Sequence, residues 1–261
     1  MKDSTLFKEL HSKSNFFVLP NAWDVPSARF YESLGYKAIG TSSWALSYLN
    51  GKSDGENISF STVLSHARQL LSEIKIPLSI DIEKGYASSA KEISVNVIKL
   101  AELGCSGVNI EDSLKDGELL PVSDFAKILE NIKSELITNG YSGFVLNART
   151  DTYLSGSIRE KVKETIKREN IYRSCGADCL FVPGLTSIEE IQDISKSTEL
   201  PLNVMNMPSI ANINTLAENG VNRFSLGNSV FDDVYSYFQS VASSSLKKGD
   251  FSVHYNHPAL S

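Results

Sequence analysis

The chain has 261 residues, an ordinary apolar fraction of 41% and a formal charge of -6. The acidic balance and the lack of a Lys/Arg block exclude a nucleic-acid surface. No apolar run reaches the roughly 20 residues of a membrane span, and the opening "MKDSTLFKEL" has no signal-peptide core, so a cytoplasmic protein is expected.

Short β-rich runs alternate with longer stretches of helical period. "FFVLP" (16–20) is followed by a helix over 23–34, "AIGTSS" (38–43) by one over 58–73, and "PLSIDIE" (77–83) by one over 90–103. "GVNIED" (107–112) precedes a helix over 123–138, and "GFVLNART" (143–150) one over 158–174. "CLFVPG" (179–184), "LNVMN" (202–206) and "RFSLGN" (223–228) lead into helices over 187–196, 209–219 and 229–246. Gly35, Gly104, Gly176 and Gly220 each fall where a helix stops before the next strand. Ser123 and Ser187 read as N-caps, and Glu190 follows Ser187 at capping-box spacing. Eight such units in one domain spanning 1–261 predict a (β/α)8 TIM barrel. A doubly wound sheet fits less well, since "LPNAWDVP" after the first strand has no phosphate-loop glycine.

In such a barrel the active site lies at the C-terminal strand ends, and polar residues gather there. Ser42 and Ser43 end the second strand, Asp81 and Glu83 the third, and Glu111 and Asp112 the fourth. Asn147, Arg149 and Asp151 end the fifth and Asn206 the seventh. Alternation along a strand turns Ser79, Asp81 and Glu83 toward the axis and Ile80 and Ile82 toward the helices. By the same rule Asn109, Glu111, Asn147, Arg149 and Asp151 face inward.

Bare carboxylates about 4 Å apart repel by roughly 4 kcal/mol at an effective dielectric near 20. Three inward acids therefore call for protonation, for rim ion pairs with Lys84, Lys115 or Arg149, or for a cation. An all-oxygen set without histidine suits Mg2+ or Mn2+. Arg149 is either a partner of Asp151 or a fork for a carboxylate or phosphoryl group. Cys105, Cys175 and Cys179 read as reduced core thiols, and His11, His66, His254 and His257 as structural or surface residues. Trp23, Trp44 and Tyr86 follow strand ends and are candidate pocket walls, Trp44 first among them.

"GTSSWALSYLNGKSDG" (40–55), "PLSIDIEKGYA" (77–87), "GVNIEDS" (107–113), "LNARTDTY" (146–153) and "YRSCGADCLFVPG" (172–184) together resemble the isocitrate lyase/phosphoenolpyruvate mutase superfamily, mutase-like branch. The resemblance implies a phosphoenolpyruvate/pyruvate-binding barrel, Mg2+ dependence and a small 2-oxo acid or phosphonate substrate. By position it makes Asp81 the direct metal ligand, with Glu83, Glu111 and Asp54 around the metal and its waters. Arg149, Asp54 and Glu111 fall at the reaction centre, and Ser42, Ser43, Trp44, Arg149 and Asn206 against the substrate. It also implies a homo-oligomer, dimer or tetramer, in which the helix over 229–246 packs on a neighbouring subunit.

Departures accompany the match. Glu83 stands for the family's usual Asp, Lys84 for a small hydroxyl residue and Ala87 for Gly. The lyase branch's loop motif with its acid/base cysteine is absent, and the mutase gating loop is reduced to "SLKDGELLPV" (113–122), where Lys115 is the sole basic residue. The expected reaction is C–C cleavage beside a keto acid, by lysis or decarboxylation. P–C bond chemistry on a phosphonopyruvate-like compound is the alternative. A catalytically idle barrel that binds a keto acid is the reading outside the enzymes.

Overall fold

A computed structural model describes residues 4–114 and 117–255; Lys115 therefore lies outside the described residues. After helix α1 (Ser4–Leu10) come β1 (Phe17–Leu19), β2 (Asn21–Ala22), α2 (Val25–Ser33), β3 (Ile39–Thr41), α3 (Ser43–Leu49), α4 (Phe60–Glu73) and β4 (Leu78–Asp81). The chain continues through α5 (Ala90–Leu103), β5 (Gly107–Glu111), α6 (Val122–Thr138), β6 (Val145–Arg149), α7 (Lys161–Ser174) and β7 (Cys179–Phe181). It ends with α8 (Ile188–Ser197), β8 (Leu202–Met205), α9 (Ile213–Glu218), β9 (Val221–Ser225) and α10 (Ser229–Lys248).

Every strand pairing is parallel, in the order β1-β9-β8-β7-β6-β5-β4-β3-β2. The predicted first strand is split at Pro20, which has no N–H to give a ladder. Its lower half, β1, pairs with β9, and its upper half, β2, with β3. One stretch of chain thus closes the ring, and the doubly wound alternative is set aside in favour of the (β/α)8 barrel.

Alternation sorts the strand side chains as expected. Ile80, Val108, Ile110, Leu146, Ala148, Leu180 and Val204 are fully or almost fully buried in one cluster with the inner helix faces. A second cluster of Phe7, Phe17, Leu19, Ala38 and Val145 seals the bottom of the barrel. Phe7 comes from α1, an element that sequence reading did not anticipate. Gly107 makes room for it, because a Cβ there would stand 2.7 Å from the Val145 carbonyl oxygen and 2.9 Å from the Phe7 ring.

Helix stops hold: Gly35, Gly104, Gly176 and Gly220 all take left-handed backbone. Ser187 caps α8 by accepting from the Glu190 N–H. Ser123 does not cap α6. Pro121 holds that position, and Ser123 lies inside the first turn with its hydroxyl 3.5 Å from Asp124. The third predicted strand also ends early, at Asp81. Glu83 has φ +48°, outside the extended region in which alternation holds. All three cysteines are free and buried. Among the described residues no helix is long and apolar enough to cross a membrane.

Candidate active site

A cavity of about 150 Å3 opens at the C-terminal mouth of the barrel. Ser42, Ser43, Asp54, Asp81 and Arg149 supply its charged and hydroxyl wall. Trp44, Phe181 and Met205 supply an apolar wall, and Asn21, Asn109 and Ser225 are polar residues from strands β2, β5 and β9.

Asp81 is delivered by the last position of β4, where its own N–H donates to Thr41 Oγ1 at 3.0 Å. Its carboxylate receives only long bonds, from Glu83 N–H at 3.3 Å and Ser43 N–H at 3.4 Å. No cation among the described residues pairs with it. Asp54, from the loop after α3, points into the same cavity. Burial pushes its carboxyl above the usual range, the Asp81 charge adds to that, and the Ser43 hydroxyl, the Arg149 charge and the Gly55 N–H oppose it.

Glu83 and Glu111 stand one layer back from the cavity surface. Glu83 accepts from Glu56 N–H at 2.6 Å and from the Tyr86 hydroxyl at 2.6 Å. Glu56 in turn accepts from Tyr86 N–H at 2.6 Å. Glu56, Glu83 and Tyr86 all hold positive φ, so three strained residues form one clamp between the Asp54 loop and the end of β4. Burial raises Glu83 to about 7, against the Tyr86 hydrogen bond.

Glu111 is also raised to about 7 by burial, although Arg149 opposes the shift. Both its oxygens are engaged, one by Ser113 Oγ at 2.5 Å and one by Arg149 Nη1 at 2.8 Å. Arg149 binds Asp151 through Nε at 2.7 Å and Nη2 at 2.8 Å. Burial works against the guanidinium charge, but Glu111 and Asp151 outweigh it and raise the pKa. Three of the five guanidinium N–H groups are thus used within the protein, which leaves two.

Asp151 is itself held from below. Its N–H donates to Asp112 Oδ1 at 3.1 Å, and Asp112 Oδ2 receives Arg168 Nη1 at 2.9 Å and the Tyr172 hydroxyl at 2.6 Å. All three supporting residues are buried.

Of the other sequence candidates, Trp44 faces the cavity and stacks on Tyr48 at a centroid distance of 5.6 Å. Trp23 packs edge-on against Phe231 instead. Asn206 is not among the lining residues; its amide donates to Ser229 Oγ at 2.9 Å. Ser42 Oγ accepts from Ala45 N–H and caps α3, leaving its own proton free to point elsewhere. Sequence reading missed Asn21, Phe181, Met205 and Ser225 as wall residues. Asn21 links three segments, donating to the Thr41 carbonyl at 2.7 Å and accepting from Gly227 N–H at 2.8 Å. Its place directly after Pro20, at a strand end, was the available signal.

Among the described residues no group of three or more His, Cys, Asp or Glu side chains converges as ligands of one ion. The donors that do face the cavity are oxygens, which suits a hard divalent cation bound by one or two carboxylates and water. Asp81, with open lone pairs and no cation, fits a direct ligand; Glu83 and Glu111, already engaged, fit only positions around the water shell.

A closed parallel barrel with acids, hydroxyls and one arginine at its C-terminal mouth defines a barrel enzyme of the phosphoenolpyruvate mutase/isocitrate lyase type. The chain belongs to the phosphoenolpyruvate phosphomutase family, whose model matches residues 7–246. An uncharacterized protein of Mycobacterium tuberculosis is 35% identical over 221 residues, covering 85% of this chain and 81% of that one. An oxaloacetate decarboxylase of Pseudomonas savastanoi pv. phaseolicola is 27% identical over 224 residues, covering 82% and 75%. The chloroplastic carboxyvinyl-carboxyphosphonate phosphorylmutase of Arabidopsis thaliana is 27% identical over 205 residues, covering 75% and 59%. A proposed phosphonomutase from Burkholderia cenocepacia superposes with a TM-score of 0.88 at 28% identity, covering 93% of this chain and 100% of that one.

Proposed function

We propose that this enzyme is Mg2+-dependent and cleaves a C–C bond next to the keto-acid unit of a small 2-oxo carboxylate, by lysis or decarboxylation. The observation that carries the reading is the charge balance of the cavity. Asp81 and Asp54 enter it without an ion pair, whereas Arg149, the only cationic lining residue among the described ones, is bound to two carboxylates. Such a site takes a divalent cation and a ligand of modest negative charge. A phosphonopyruvate-like compound carries more charge than a 2-oxo carboxylate, and among the described residues the lining offers it only Arg149 beside the divalent cation, which favours C–C over P–C chemistry. The volume of about 150 Å3 limits the ligand to a few heavy atoms beyond a pyruvate unit.

Mg2+, when bound, supplies Lewis-acid stabilisation of negative charge on the substrate oxygens. Asp81 is the residue assigned to hold it, with Asp54, Glu83 and Glu111 arranged around its waters. The protein's own part is to orient and to stabilise charge. The two remaining Arg149 N–H groups reach a substrate carboxylate, and Ser42 at the end of β3 offers a hydroxyl donor, with Ser43 holding Asp54 beside it. Trp44, Phe181 and Met205 exclude water from the reacting unit. Glu111, engaged by Ser113 and Arg149, fixes the guanidinium beside the cavity. The relatives named as oxaloacetate decarboxylases support the same reaction class.

The test is a turnover panel of 2-oxo acids and phosphonates with and without Mg2+. The expected result is Mg2+-dependent consumption of a 2-oxo acid that Asp81→Ala abolishes. Release of phosphate from phosphonopyruvate, or its conversion to phosphoenolpyruvate, would replace C–C by P–C chemistry. A keto acid that raises the melting temperature with Mg2+ while nothing turns over would make the barrel an idle binder. The exposed apolar face of α10, including Tyr237 and Phe238, supports a homo-oligomer packed through that helix. A monomer by light scattering rules that part out.

A further inference from the structure

The barrel interior beneath the cavity is polar. Arg223, on β9, is fully buried, and among the described residues no carboxylate lies within ion-pair distance of it. Its Nη1 is 3.2 Å from His11 Nε2, its Nη2 donates to Asn109 Oδ1 at 3.0 Å, and its Nε has no partner. His11 Nδ1 lies 2.7 Å from the Phe7 carbonyl oxygen, so the ring proton sits on Nδ1 and Nε2 accepts from the guanidinium. Burial, helped by the Arg223 charge, lowers His11 to about 3, which keeps the imidazole neutral. One positive charge therefore stands on the barrel axis with no carboxylate in contact, and the Asp81 charge acts on it only from a distance.

That cation fixes the amide above it. Arginine only donates, so the Asn109 atom facing Arg223 must be the oxygen. Asn147 Nδ2 donates to the same oxygen at 2.8 Å. The amide cannot flip, and its NH2 group is turned away from both donors. Asn109 lines the cavity, and its NH2 donates to no protein acceptor among the described residues. Asp81 is its direct register partner on the neighbouring strand.

We propose that Asn109 is a substrate-binding donor at the cavity floor, and that Arg223 is a positioning residue that holds it there and makes the floor attractive to an anionic oxygen. The ligand group is a carboxylate or enolate oxygen of a small planar anion. This rests on the reading of the cavity as a 2-oxo carboxylate site, and it adds a second donor, on the strand next to the one that carries Arg149.

The experiment is calorimetric titration of oxalate, a planar mimic of enolpyruvate, and of pyruvate, with and without Mg2+. Wild type, Asn109→Asp, Asn109→Ala and Arg223→Met are compared, with melting temperatures recorded for each. Asn109→Asp gives Arg223 a carboxylate partner, so the melting temperature should hold or rise. It also replaces a donor by an acceptor, so oxalate affinity should fall at least tenfold. Asn109→Ala, and Arg223→Met if it folds, should lose affinity in the same direction. A purely structural role for Asn109 predicts the opposite pattern: folded Asn109→Asp and Asn109→Ala proteins that bind oxalate as wild type does, which overturns the proposal alone. Wild type that binds neither anion under any condition overturns the 2-oxo carboxylate reading together with it.

Discussion

Replacing Tyr172 by Phe removes one oxygen from the pedestal under Arg149 and changes nothing else in volume. The lost atom donates to Asp112 Oδ2 at 2.6 Å and accepts from Arg168 Nη1 at 3.0 Å. Tyr172 and Asp112 are fully buried, and Arg168 is 5% exposed, so water cannot replace the bond. A hydrogen bond to a charged group contributes about 1.5–3 kcal/mol, and the retained ring makes the cavity cost close to zero. The expected loss of stability is therefore about 1.5–3 kcal/mol, or a melting temperature lower by about 3–12 °C for a chain of this size. Urea unfolding at constant slope measures it. Because Asp112 also receives the Asp151 N–H, the variant should loosen the Arg149–Asp151 pair and weaken anion binding as well. A stability change below about 0.5 kcal/mol would refute the claim that this buried carboxylate depends on its hydroxyl donor.

Arg168→Met leaves Asp112 buried without its cation, and should cost about 3–5 kcal/mol in the same denaturation assay. His66 is buried, its Nε2 has no partner, and burial lowers its pKa to about 4. The unfolded chain therefore binds a proton below pH 6.5 that the folded chain refuses, and stability is lost as pH falls from there toward 4. His66→Leu should thus gain about 2 kcal/mol on wild type in going from pH 7.5 to pH 5, since pH 5 lies about 1.5 units below the unfolded pKa; parallel pH profiles for the two proteins would reject this. Glu56→Ala keeps the positive φ but loses the acceptor for Tyr86 N–H, so exchange of that amide in deuterium should accelerate by about tenfold or more. Gly107→Ala drives a methyl to 2.7 Å from a β6 carbonyl, and should lower the melting temperature; one equal to wild type would show that the β5–β6 backbone gives way instead.

The strands were legible because buried parallel strands are continuous apolar runs closed by glycine, and eight of them in rhythm admit few folds. α3, with seven residues, is too short for a period to show, and α1 has its meaning only in the contact of Phe7 with β5 and β6. Alternation placed Asp81, Asn109 and Arg149 correctly on the inner face, yet failed at Glu83, because it assumes extended backbone and Glu83 turns left-handed. The interior asparagines were visible as a pattern. "GVNIE", "VLNAR", "LNVMN" and "VNRFS" each put a polar residue at one inward position: Asn109, Asn147, Asn203 and Arg223. Arg223 opened the eighth predicted run, whereas here it lies inside β9, where neighbouring amides and a neutral imidazole solvate it. The pairing of Arg149 with two acids at once depends on distances that spacing alone does not supply.

The division of the first strand at Pro20 sets an order on assembly. β2 finds its partner β3 about 20 positions along, but β1 must wait for β9, with Phe17 opposite Arg223. Until that last strand is available, a growing chain on the ribosome carries two raw sheet margins, each able to pair with another molecule. The same late event brings Arg223 under Asn109, so ring closure and completion of the cavity floor are one step. A chain truncated before β9 should therefore accumulate as aggregate rather than as a smaller, weaker barrel.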